Sequence, residues 1–393
     1  MAAIGQFWGS FSAPRVQGQP QPILQPDLAP ANLFFLNLDA HRGHEPGLFV
    51  YQVVPGTSPL GGRTKFMVPL TATVNDGHRL IAHSAQAFTV DPETARVVVA
   101  RIAPRNGIDY RLDIEAIAAV QNLSYQGNWR NSWGEQGTLE FWRPEAGERV
   151  RDVTVCDSWS EYKSWAGGVG RTNFAFRGQS NNEWQLKSSL HRANRFDLWY
   201  YSRAALQQLQ HELEGGVGTS FDREKPIDFS RLLALGQHHG FPTPLIDFTF
   251  SPYIAAYFAM SGALDVPESS RASHVRIYAL DKAFQSVANQ PTVALTAIEP
   301  LAGLIGPSGL HNPRLYAQQG TFLFSNVELV EHLLTSQLYT GGQTYLRAVD
   351  IPSHAAVEAL TDLSYMGISP ASLFPGVDGV CMKIKQQILT GQL

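Results

Sequence analysis

Near residue 150 the chain changes its punctuation, and this limits its fold more than any other feature. Before that point, short β-type runs recur at Asn32–Leu38, Leu48–Val54, Lys65–Val74, Arg96–Ile102 and Thr138–Trp142. Turn signals separate them, among them Pro55-Gly56, Asn75-Asp76-Gly77 and Asn106-Gly107. Strands at this spacing predict an antiparallel sandwich or small barrel. Tyr125–Trp133 leading into Gly137–Trp142 predicts a hairpin whose aromatic side chains close that core. Five prolines (Pro14, Pro20, Pro22, Pro26 and Pro30) predict an extended arm over 14–30.

After residue 150 helix caps take over. Ser158-Trp-Ser-Glu161 is a capping-box signature, with Gly167-Gly168-Val-Gly170 as the stop. Asn173–Gly178 predicts a buried strand. Leu198, Tyr201, Ala205, Leu209 and Leu213 keep helical spacing over 197–214, ending at Gly215-Gly216. Asp228–His239 predicts another helix, ended by Gly240 and Pro242. Ser251-Pro252 opens a third, running to about Gly262. Val275–Leu280 and Gly320–Phe324 predict strands. The expected class is α+β: a β-rich sandwich or barrel over 1–150, acting as a recognition or scaffold domain, then a mixed α+β domain over 151–393.

Hydrophobic residues make up 44% of the 393 and charged residues 16%, enough apolar material for a sizeable core. A net charge of −4 argues against a strongly basic nucleic-acid binder, despite 23 Arg against 7 Lys. Cys156 and Cys381 form no CxxC pair, which excludes a disulfide scaffold and a cysteine zinc site as main themes. MAAIGQFWGSF lacks the layout of a signal peptide, and the apolar stretch Tyr253–Leu264 is too short to span a bilayer. A soluble, cytoplasmic protein without membrane contact is expected. The P-loop, GxGxxG, HExxH and GxSxG patterns are all missing. His238 and His239 are adjacent, so on a helix they point about 100° apart and do not readily share a metal. No metal is expected.

Residues 155–325 resemble the FRG domain, a bacterial and phage-borne family. The resemblance rests on Phe176-Arg177-Gly178-Gln179, Trp184-Gln-Leu186, Ser189-Leu-His-Arg192, Leu233-Ala-Leu-Gly-Gln237-His-His-Gly240-Phe-Pro-Thr243, Leu245-Ile-Asp247-Phe-Thr249 with Ser251-Pro252 and Ala255-Ala-Tyr-Phe-Ala259, and Arg314-Leu-Tyr-Ala-Gln318-Gln-Gly320-Thr-Phe322. Ser372–Gly379 also fits what often follows this domain. Pro244 stands where the family usually has Arg. The same residues bear a weaker similarity to ADP-ribosyltransferases, which carry an Arg on a first strand, a Ser-Thr-Ser-like strand before a helix, and a late Glu or Gln motif. Here Arg177, Thr249 with Ser251, and Gln318 take those places.

That similarity implies NAD as substrate, cleaved at its nicotinamide–ribose bond. ADP-ribose would pass to an unknown protein or nucleic-acid acceptor, as in a toxin or antiphage effector. Arg177 would grip phosphate or ribose, and Gly178 would let the backbone approach the ligand. Thr249 and Ser251 would support the ribose, Gln318 would orient a hydroxyl, and Asp247 would supply the missing negative charge. Gln179, Gln237, His238 and Arg314 complete the expected NAD- or nucleotide-binding set; Glu212 and Glu214 are less well placed. Structural roles are open for the same residues: Arg177 paired with Asp247, Gln237 and His238 capping carbonyls, Thr249 as an N-cap, Arg314 in a salt bridge, Gln318 bonding buried backbone. The alternatives to transfer chemistry are a non-catalytic nucleotide- or nucleic-acid-binding module, and a hydrolase using His238, His239 and Asp247.

Overall fold

The computed structural model describes residues 5–11, 33–38, 48–54, 64–70, 72–75, 78–84, 88–90, 97–101, 107–108, 111–119, 124–143, 149–169, 173–287, 295, 301–306, 313–335, 342–391 and 393. The proline-rich stretch 14–30 lies outside them.

The first 142 residues form strands β1 (Gly5–Phe11), β2 (Leu33–Leu38), β3 (Leu48–Val54), β4 (Thr64–Leu70), β5 (Ala72–Asn75), β6 (Arg79–Ser84), β7 (Phe88–Val90), β8 (Val97–Arg101), β9 (Leu112–Ala119), β10 (Ser124–Asn131) and β11 (Gln136–Trp142); the expected runs supply β2, β3, β4 with β5, β8 and β11, while β1, β6, β7 and β9 are not among them. These strands build two antiparallel sheets, ordered β2-β1-β11-β10-β9-β6-β5 and β3-β4-β7-β8. The predicted hairpin is β10–β11. The Asn131 side chain shapes its turn by accepting from the Trp133 and Glu135 backbone amides at 3.1 and 3.0 Å. Alternate residues face inward, so Tyr125, Trp129 and Phe141 are buried, and Phe7 meets Tyr125 edge-on at 5.5 Å.

From residue 153 the chain alternates strands and helices: β12 (Val153–Val155), α1 (Trp159–Gly168), β13 (Phe174–Gln179), α2 (Ser189–Arg192), α3 (Leu198–Arg203), α4 (Ala205–Val217), α5 (Pro226–His238), β14 (Leu245–Thr249), α6 (Pro252–Leu264), β15 (His274–Asp281), α7 (Phe284–Val287), β16 (Ala302–Ile305), α8 (Pro313–Ala317), β17 (Gly320–Ser325), α9 (Val330–Thr335), β18 (Leu346–Pro352), α10 (Ala356–Tyr365), α11 (Pro370–Leu373) and α12 (Val377–Leu389). Their strands form one sheet, β12-β18-β15-β13-β14-β17-β16, in which only β12–β18 runs parallel. The protein is thus mixed α+β.

The caps work as local chemistry requires. Ser158 Oγ accepts from the Glu161 amide, while Glu161 Oε2 reaches back to the Asp157 amide, one residue before the N-cap. Ser251 Oγ accepts from the Ile254 amide, with Pro252 in the first turn. The segment expected as one helix over 197–214 is two, α3 and α4, divided at Ala204 (φ −106°, ψ −75°). Helix α4 passes through Gly215-Gly216 and stops at Gly218, whose φ of +69° suits the left-handed C-terminal position.

Period-two alternation assigns the faces of the second large sheet. Phe174, Phe176, Ile277 and Val349 point into a core with α1, α6 and α10, where Trp159, Tyr162, Ala256, Met260 and Leu360 are buried. On the β14 side the corresponding face, Leu245, Phe322 and Phe324, is covered by α3, α4 and α5. The opposite face is one continuous core that joins Ala175, Tyr278, Ile246, Phe248 and Leu323 to Trp8 of the N-terminal sheet. Two helical layers therefore cover one face, one over β13, β15 and β18 and the other over β14, β16 and β17. Residues 326–328 tie the sheets together: Gln6 Nε2 donates to the Asn326 carbonyl, the Glu328 amide to Gln6 Oε1, and Arg143 Nη2 to Glu328 Oε1 at 2.8 Å. Among the described residues no helix is long and apolar enough to cross a membrane.

Candidate functional site

β13 and β14 share a single paired position, Phe176 opposite Thr249. Each is well paired on its other side, β13 from Phe174 to Gln179 and β14 from Leu245 to Thr249. The sheet opens at this seam, and the seam gathers the motif residues. Arg177 alternates with Phe176 and starts on the opposite face. Its Nη1 donates to the Asp247 carbonyl at 2.7 Å and lies 3.6 Å from Asp247 Oδ2. Its Nε is buried and has no hydrogen-bond partner. Burial pulls the guanidinium below its usual pKa; Asp247 opposes this, and the like charge of Arg192 adds to it.

Asp247 follows Leu245 on the helix-covered face, and its side chain is 59% exposed. Gln237 Nε2, at the end of α5, donates to Asp247 Oδ1 at 2.7 Å. Gln237 Oε1 accepts from the Thr243 hydroxyl, which also accepts from the Leu245 amide at 3.2 Å. Ser189 Oγ accepts from the Thr243 amide at 3.0 Å, and the Leu190 amide donates to the Thr243 carbonyl at 3.2 Å. One polar chain thus links Arg177, Asp247, Gln237, Thr243 and α2. Thr243 carries no expected role in the sequence, although it ends the Leu233–Thr243 motif. A buried threonine after a proline signals only a turn until its partners are known.

Thr249, Ser251 and Gln318 form a second group at the far end of β14. Thr249 Oγ1 donates to the Gln318 carbonyl at 2.7 Å and accepts from the Ser251 amide at 3.1 Å. Gln318 Nε2 donates to the Leu373 carbonyl at 3.2 Å. Arg314 pairs with Asp378 at 2.6 Å and lies over the Phe374 ring. These bonds fasten the 370–378 segment to α8 and β17.

The remaining expected residues sit as follows. Gly178 turns its missing side chain toward α6, where a Cβ would lie 1.9 Å from the Ala255 carbonyl oxygen. The close approach at Gly178 is therefore made by a helix backbone. Gln179 is buried; its Nε2 donates to the Gln185 carbonyl at 3.3 Å, and its Oε1 has no partner. The His238 ring lies 6.0 Å from the Phe322 ring, and His239 is exposed. No cluster of three His, Cys, Asp or Glu that could hold a metal exists among the described residues.

The arrangement offers an anchored guanidinium with a donor to spare beside an exposed, oriented carboxylate. These groups suit a ligand carrying both phosphate and hydroxyls. No curated protein and no solved structure matches the chain. The FRG domain profile matches residues 172–267, which span Arg177, α2, Gln237, Thr243 and Asp247, while Arg314 and Gln318 fall beyond it. The polar chain at the seam is thus built from the matched segment, and this protein carries an FRG domain.

Proposed function

We propose that the FRG domain of this protein is a nucleotide-binding module whose site is the β13–β14 seam, with NAD or a related nucleotide as ligand. The supporting observation is Arg177: Nη1 is fixed by Asp247, and Nε is buried without a partner. A buried donor left unsatisfied costs about 1–3 kcal/mol, and a ligand acceptor would recover that cost. The exposed Asp247 carboxylate would accept ribose hydroxyls, held in place by Gln237. Gln318, which resemblance places where transferases hold Glu, is neutral, and its amide is spent on Leu373. That favours binding over bond cleavage. The test is melting temperature and calorimetry with NAD and ADP, for wild type and Arg177→Ala, with nicotinamide release followed in parallel. Stabilisation by ligand that the variant loses, without turnover, is the expected result. A wild-type protein indifferent to both nucleotides overturns the proposal.

One observation favours a second reading, an ADP-ribosyltransferase-like enzyme acting on an unknown protein or nucleic-acid acceptor. Asp247 presents a carboxylate oriented by Gln237, and such a group can stabilise the cationic ribose that forms as nicotinamide leaves. Nicotinamide release that Asp247→Asn abolishes would establish this reading. Release unchanged in that variant would remove it.

A further inference from the structure

We propose that Arg192, the last residue of α2, is the second cation of the Arg177 site, and that the ligand it selects carries a pyrophosphate, as a nucleoside diphosphate or its ester does. The inference rests on the nucleotide-binding reading and narrows its ligand class.

Position comes first. Helix α2 is held to the site through Ser189 and Leu190, both bonded to Thr243, which reaches Asp247 through Gln237. Arg192 is exposed, and its Nη1 donates to the Lys187 carbonyl at 2.6 Å, which fixes the base of the guanidinium. No carboxylate pairs with it among the described residues. Lys187, the neighbouring cation, is already bound to Glu328 at 2.5 Å.

Charge comes next. Burial disfavours the Arg177 cation, Asp247 favours it, and the like charge of Arg192 disfavours it further. Arg177 and Arg192 carry two positive charges, and the one carboxylate paired with Arg177, Asp247, lies at a long 3.6 Å with its side chain 59% exposed. One positive charge is left over beside a buried unpartnered Nε. A nucleobase or a neutral nucleoside would leave that surplus uncompensated. A pyrophosphate supplies two adjacent anionic groups, and guanidinium forks match them in geometry.

The test is calorimetry on the full chain with ADP, inorganic pyrophosphate and adenosine, for wild type, Arg192→Gln, Arg192→Glu and Arg177→Gln. Arg192 is exposed and bonds only a carbonyl, so its variants should keep the wild-type melting temperature. The expected result is graded: R192Q binds ADP and pyrophosphate about tenfold more weakly, R192E more weakly still, and the salt dependence of ADP binding flattens. If both Arg192 variants bind ADP like wild type while Arg177→Gln loses it, the Arg192 assignment falls and the nucleotide reading stands. If wild type binds neither ADP nor pyrophosphate, both fall together. Adenosine binding as tight as ADP would overturn the pyrophosphate assignment alone.

Discussion

Arg177 and Asp247, seventy positions apart, meet at the place where β13 and β14 stop pairing: Arg177 Nη1 donates to the Asp247 backbone carbonyl at 2.7 Å. The contact uses the main chain, so it holds whatever the Asp247 carboxylate is doing. The carboxylate is oriented separately, by Gln237 at 2.7 Å. One residue therefore holds the seam with its carbonyl and leaves an oriented, exposed carboxylate beside it.

Gln237→Leu separates those duties. The Arg177–Asp247 main-chain bond survives, while the carboxylate loses its positioning donor and Thr243 loses an acceptor. Stability should fall by about 1–3 kcal/mol, chiefly because the hydroxyl of the buried Thr243 is left without its acceptor. Nucleotide affinity should fall several-fold, since the freed carboxylate must be ordered on binding. Urea midpoints together with calorimetry check this; lost stability with unchanged affinity would make Gln237 purely structural.

Gly178→Ala tests whether the glycine of the motif serves packing. The added Cβ would fall 1.9 Å from the Ala255 carbonyl oxygen and 3.0 Å from the Ala259 Cβ. The nearest obstacle is helix backbone, so relief requires α6 to move away from β13. The expected loss is about 3 kcal/mol, the upper end of the overpacking range, read as a drop in urea midpoint. A variant as stable as wild type would show that α6 yields freely.

What the sequence made legible was local. Ser158 and Ser251 announce helix starts because a cap acts on amides two or three residues away. The β10–β11 hairpin was readable from alternating aromatics and a polar turn. Gly215-Gly216 misled because glycine stops a helix only where the backbone turns left-handed, and that happens at Gly218. The division at Ala204 has no side-chain cap to announce it. At the site, the motif residues were visible but their geometry was not. Nothing in Phe-Arg-Gly says that β13 leaves β14 after one pair, or that Gly178 is crowded by Ala255, 77 residues on. Glu331 was missed for the same reason: its buried carboxylate accepts from Tyr278 Oη and the Leu186 and Val150 amides, all remote in sequence.

Arg276 and Asp350 form a buried two-pronged pair, Nε–Oδ1 at 2.7 Å and Nη2–Oδ2 at 2.8 Å, across β15 and β18. Asn182 Nδ2 adds a third bond to Asp350 at 3.0 Å. Burial disfavours the Arg276 charge, but Asp350 outweighs this and raises its pKa. Asp350→Ala strands a guanidinium in the core and should cost about 3–5 kcal/mol. The double change Arg276→Met, Asp350→Leu should recover most of that loss, because it removes the buried charge altogether. Thermal and urea unfolding of the three proteins decide the point; a double variant no better than the single one would show that the pair contributes more than mutual compensation.

His191 predicts an acid-sensitive fold. It is fully buried, stacks on Phe196 at 6.0 Å, and bonds Ser188 Oγ through Nδ1 at 2.9 Å, while Nε2 has no partner. Burial disfavours its cation and pulls its pKa from 6.5 to about 4, with the carboxylate of Glu328 opposing and Lys187 assisting. In the unfolded chain the ring protonates near its ordinary value. Below about pH 6.5 the unfolded state therefore binds the extra proton, and stability falls as pH drops. The loss stops near pH 4, where the folded protein protonates too, and by then it amounts to about 3 kcal/mol. His191→Asn cannot titrate, so its urea midpoint should vary less than that of wild type between pH 7.5 and 4.5. Parallel profiles for the two proteins would show that other groups set the acid limit.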